Sequence, residues 1–68
     1  MDEEALMKEV FADTWKIAKQ YLVDKDWENY LAKAEKIKKK YEAKTKKQEL
    51  LARMVMTGQT YYFENIDD

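Results

Sequence analysis

The stretch KKYEAKTKKQELLARMV, Lys39–Val55, decides the fold. Two readings compete for it. Either one bent helix runs through it from residue 27 to 57, or one helix ends near Ala43 and another starts after Thr45. Thr45-Lys46-Lys47-Gln48 fits a capping box, with threonine as the cap and glutamine three residues on. The apolar stripe also changes phase near Thr45. Both signs favour a break, and the break makes the chain three helices rather than two.

Working toward the C-terminus, Leu50, Leu51, Met54 and Val55 give the third helix an apolar side. Gly58 is the only glycine, and the chain has no proline. A glycine there reads as a left-handed C-cap, so the helix is expected to end at about 57. The tail, residues 59–68, carries Tyr61, Tyr62 and Phe63. Aromatic residues favour extended backbone, so the tail is expected to be extended or loosely packed, in cis or against another chain.

Working toward the N-terminus, Trp27, Tyr30, Leu31, Ala34, Ile37 and Tyr41 form one narrow stripe on a helix over 27–43. Asp24 or Asp26 can cap its free amides. A first helix over 2–22 shows a wider stripe, from Leu6 and Met7 to Tyr21 and Leu22, broad enough to touch two neighbours. Its early carboxylates suit the positive end of the helix dipole. The expected fold is all-α: a small antiparallel three-helix bundle over residues 1–58, with a short extended C-terminal tail.

Sixty-eight residues make one domain at most. So small a domain buries only about 60 % of its unfolded surface. Small chains often add disulfides or a metal, yet cysteine and histidine are both absent. Good helix packing, self-association or folding onto a partner remain as sources of stability, and a dimer is expected. The acidic opening Met1-Asp2-Glu3-Glu4 is unlike a signal peptide. No apolar run reaches the roughly 20 residues of a membrane helix. These features predict a soluble, cytoplasmic protein without membrane contact.

Net charge is −1, but it is unevenly spread. Residues 36–47 hold seven lysines in twelve positions. On the wheel Lys33, Lys36, Lys40, Lys44 and Lys47 gather opposite the apolar stripe. The plain reading is a solvated face with ion pairs such as Glu35 to Lys39. The alternative is a nucleic-acid surface that grips phosphates with little sequence preference. Base reading leans on arginine, asparagine and glutamine, and Arg53 is the only arginine.

Catalysis is not expected. Serine, cysteine and histidine are all missing, which removes the familiar nucleophile–base pairs. No cofactor, metal or small-molecule substrate is implied. Asp24-Lys25-Asp26-Trp27-Glu28-Asn29 with Glu35 partly follows a calcium loop. The sixth position should be glycine and is Asn29, and a bulky Trp27 stands fourth. Asp26 capping a helix explains the same residues with fewer assumptions.

Trp15, Tyr21, Trp27, Tyr30 and Tyr41 read as core aromatics with polar tips at the rim. Trp15 sits at the edge of its stripe and is the one expected to be exposed. With the methionines near the tail, which suit adaptable surfaces, it suggests a partner-binding patch of Trp15, Met54, Met56, Tyr61, Tyr62 and Phe63.

The segments FADTWKIAKQYL (Phe11–Leu22), WENYLAKAEKI (Trp27–Ile37), KKY (Lys39–Tyr41) and ELLARMV (Glu49–Val55) carry a resemblance. Over residues 6–56 the chain resembles short uncharacterised helical proteins encoded by phages and mobile elements of Firmicutes. The tail from Gly58 departs from that pattern. The resemblance implies no activity and no site residues. It implies a small accessory protein that works by binding, such as an inhibitor of a host or defence protein.

Overall fold

A computed structural model describes residues 2–66 of the chain. Three helices follow one another: α1 (Glu3–Asp24), α2 (Trp27–Glu42) and α3 (Lys46–Ile66). The break in the deciding stretch is present. Lys44 N–H bonds back to the Tyr41 carbonyl at 3.2 Å, and Thr45 Oγ1 accepts from Gln48 N–H at 3.1 Å. Thr45 thus caps α3 as the sequence predicts.

The Gln48 side chain does not complete the box. It donates instead to the Leu6 carbonyl and to Glu9 Oε1, each at 3.0 Å. Gln48 is buried, and these two bonds replace the water it loses. A residue read as a local cap therefore ties the start of α3 to α1.

The other joint is built from aspartates. Lys25 ends α1 with φ 54° and its N–H bonded to the Tyr21 carbonyl. Asp24 Oδ1 accepts from Asp26 N–H at 2.9 Å, and Asp26 Oδ1 accepts from Asn29 N–H at 3.1 Å. Asp24 and Asp26 of the partial calcium-loop pattern are thus engaged in capping bonds. Among the described residues no three acidic side chains gather to hold a metal.

The tail differs from expectation. Residues 59–66 are not extended; α3 runs straight through Gly58 to Ile66. Glycine costs about 1 kcal/mol in a helix relative to alanine, and burial outweighs it. Ala52, Met56 and Phe63 are buried along one side. Tyr30 Oη donates to Gln59 Oε1 at 2.8 Å, and the Phe63 ring lies 4.8 Å from Tyr21 and 5.5 Å from Tyr30. These contacts hold the last two turns in helical register. Asp67 and Asp68 lie outside the described residues.

The three helices share one core. Val10, Ile17, Ala18 and Tyr21 come from α1, Tyr30, Ala34, Ile37 and Tyr41 from α2, and Ala52, Met56 and Phe63 from α3. α2 runs antiparallel to its neighbours, since Asp13 meets Lys40 while Glu9 meets Lys44. α1 and α3 run parallel. Their bonded partners stand 42 and 44 positions apart near one end, and Tyr21 meets Phe63 at the same offset near the other.

Candidate protein-interaction surface

Glu9 and Asp13 of α1 face α2 and the joint that follows it. Glu9 takes Lys44 at 2.8 Å and Lys40 at 3.4 Å, and Asp13 takes Lys40 at 2.6 Å. Tyr41 Oη donates to the same Asp13 oxygen at 2.7 Å. The Lys44 hydrogen bond, with help from Gln48, holds the Glu9 carboxyl down at about 2. Burial pushes the Asp13 carboxyl up, but bonds from Lys40 and Tyr41 outweigh it and leave it lowered. The Asp13 bond raises Lys40, while burial and then Asp13 raise Tyr41.

These pairs bear on the lysine row. Lys40, Lys44 and Lys47 are each engaged by carboxylates of α1, Lys47 by Glu3 at 2.8 Å. Lys33 and Lys36 differ. With Lys16 they line the groove between α1 and α2, and no ion pair joins them to any described residue. The row therefore divides into three lysines tied to α1, Lys33, half-buried and acting through its charge on Asp24, and Lys36, which faces solvent.

The opposite flank of α1 is apolar and faces α3. Leu6 and Met7 line a groove of about 370 Å³ with Leu50, Leu51 and Met54. Leu22 and Ile66 line a smaller cavity at the other end. Phe11 and Trp15 fall between Met7 and Leu22 on the same side of the wheel. On α3, Met54, Gly58 and Tyr62 follow one another at four-residue steps, so they share that side too. Trp15 is 55 % exposed, Met54 65 % and Tyr62 56 %. Helical spacing thus puts Trp15, Met54 and Tyr62 of the expected patch on the exposed flanks of α1 and α3 beside that groove.

The remaining three do not join them. Met56 is fully buried and Phe63 is 7 % exposed; both are core, Met56 because it stands four residues from buried Ala52 on the same side of α3, and Phe63 because α3 continues past Gly58 and turns it inward. Tyr61 is exposed but lines the groove between α2 and α3, beside Leu31 and Glu64. Sequence reasoning missed Met7, Phe11, Leu22 and Leu50, all exposed. The signal was available in the width of the α1 stripe, which exceeds what the core consumes.

Other aromatics behave as read. Tyr21, Tyr30 and Tyr41 are buried, and Trp27 stacks on Tyr30 at 5.0 Å. No helix among the described residues is long and apolar enough to cross a membrane. No family model, curated protein or solved structure matches this chain.

Proposed function

We propose that this chain is a small non-enzymatic accessory protein that binds another protein through its α1–α3 face. The observation that carries this reading is the run of exposed large apolar side chains there, Met7, Phe11, Trp15, Leu22, Met54 and Tyr62. Contiguous apolar surface on a small chain marks an interaction site, and tryptophan and tyrosine are enriched among residues that dominate binding. The partner is a protein that presents an apolar helix face of its own. The resemblance to short proteins of phages and mobile elements extends the proposal to a factor acting on a host or defence protein in the cytoplasm.

The test is site-specific photo-crosslinking. A benzophenone amino acid at Phe11 should capture a partner protein, and the same group at Lys39 on α2 should not. Equal capture from both positions would remove the α1–α3 face from the proposal.

A second reading has one observation in its favour: Lys16, Lys33 and Lys36 line the α1–α2 groove together. Weak nucleic-acid binding there should fall steeply with salt. The ties of Lys40, Lys44 and Lys47 to α1 weigh against it. A salt series with duplex and single-stranded DNA decides; no binding at low salt discards this reading.

A further inference from the structure

This inference rests on the α1–α3 face being a protein-binding surface, and it names the occupant. We infer that, when no other partner is present, a second copy of this chain covers the face, with its helices antiparallel and Gly58 at the crossing.

Gly58 is the first argument. It stands inside α3 with no left-handed φ, and a Cβ added there would meet nothing within 4 Å. Nothing within the chain requires a glycine, yet glycine is a poorer helix former than alanine. A helix pressed on the face from outside does make use of it. The missing side chain leaves a notch between Met54 and Tyr62, where a second backbone can approach closely.

The layout of the face supplies the second argument. The offset between α1 and α3 sets Trp15 level with Gly58. Met7 and Leu50 lie about two helical turns to one side of that level, and Leu22 and Ile66 about two turns to the other. A twofold axis at the level of Trp15 and Gly58 brings each apolar end onto the opposite end of the other copy. Such self-complementarity is what a closed dimer demands. The same rotation brings Glu4, near one end, level with Lys25, near the other.

Size and charge agree with this occupant. The molecule measures 41 × 19 × 18 Å. One long face therefore offers on the order of 800 Å², the area each partner of a standard interface buries. A net charge of −1 sets little repulsion against a second copy.

Sedimentation equilibrium of the full chain, from micromolar to millimolar, tests the inference. The wild type should move from 8.2 kDa toward twice that mass as concentration rises. Gly58→Leu fills the notch, so it should stay monomeric over the same range. Its unfolding temperature at the lowest concentration should rise, because leucine is the better helix former and the space is open. A wild type that stays monomeric throughout overturns the second copy, while the Phe11 crosslink still reports independently on the face. A Gly58→Leu chain that dimerises like the wild type overturns the crossing at Gly58.

Discussion

Tyr30 and Tyr41 are both buried on α2, and each carries a hydroxyl that must find a partner. Their partners differ in charge. Tyr30 Oη donates to the neutral Gln59 amide oxygen, whereas Tyr41 Oη donates to the Asp13 carboxylate that Lys40 also holds. A bond to an ionised acceptor contributes about 1.5–3 kcal/mol and one to a neutral acceptor about 1. Tyr41→Phe should therefore lower stability by about 2 kcal/mol, and Tyr30→Phe by about half as much. Urea unfolding of the two variants beside the wild type measures the difference. Equal losses would show that the Asp13 carboxylate adds nothing to the Tyr41 bond. Neither partner was legible in the sequence. The aromatic stripe of α2 announces which rings go inside, but the acceptors come from α1 and α3, 28 and 29 positions away. Such distant partners are set by packing, not by local spacing.

For the helices, local chemistry set the boundaries well wherever a cap was present. Asp2, Asp26 and Thr45 each accept an amide bond at the start of a helix, and the break at Thr45 follows from that chemistry. Gly58 misled because a glycine after an apolar run resembles a C-cap. The opposing signal was also present: Ala52, Met56, Gln59 and Phe63 continue the helical spacing of four, three and four through the glycine. That misreading carried into the candidate patch, placing Phe63 at the surface; Met56, already inside the expected helix, was left off its apolar side although it is buried. Trp15, by contrast, was legible from its place at the stripe's edge. The register of α3 has a direct test in three neighbouring rings. In a helix Phe63 faces inward while Tyr61 and Tyr62 face out, as their exposures show. In an extended tail Tyr61 and Phe63 would share a side. Phe63→Ala should cost about 3 kcal/mol or more. Tyr61→Ala and Tyr62→Ala should each stay within about 0.5 kcal/mol in the dilute chain. Thermal melts followed by circular dichroism measure all three, and a large loss at Tyr61 would contradict the helical register.

Across the whole molecule, the charge asymmetry of the sequence becomes an ionic seam. The acidic first helix holds lysines of α2, of the joint after it and of the start of α3 through Asp13–Lys40, Glu9–Lys44 and Glu3–Lys47. Most of these groups are open to solvent, where single pairs contribute little. Glu9 differs in drawing three donors, Lys40, Lys44 and Gln48, onto one carboxylate. Its folded value of about 2 lies below the ordinary 4.5, and Asp13 and Glu3 are lowered as well. A depressed carboxylate stabilises the fold above its unfolded value and stops doing so as pH falls through its folded value. The seam's contribution should thus be complete above pH 4.5 and fade toward about pH 2. The alkaline side carries the opposite sign. Tyr41 and Lys40 are raised, so their contribution is whole below the ordinary tyrosine and lysine values and is lost as pH rises through the folded ones. Glu9→Gln separates the seam from general acid unfolding. It should melt below the wild type at neutral pH and lose less between pH 4.5 and about 2, because the strongest acid-sensitive group is gone. Melting temperatures of both chains across that range check it, and parallel curves would show that Glu9 has no part in the acid transition.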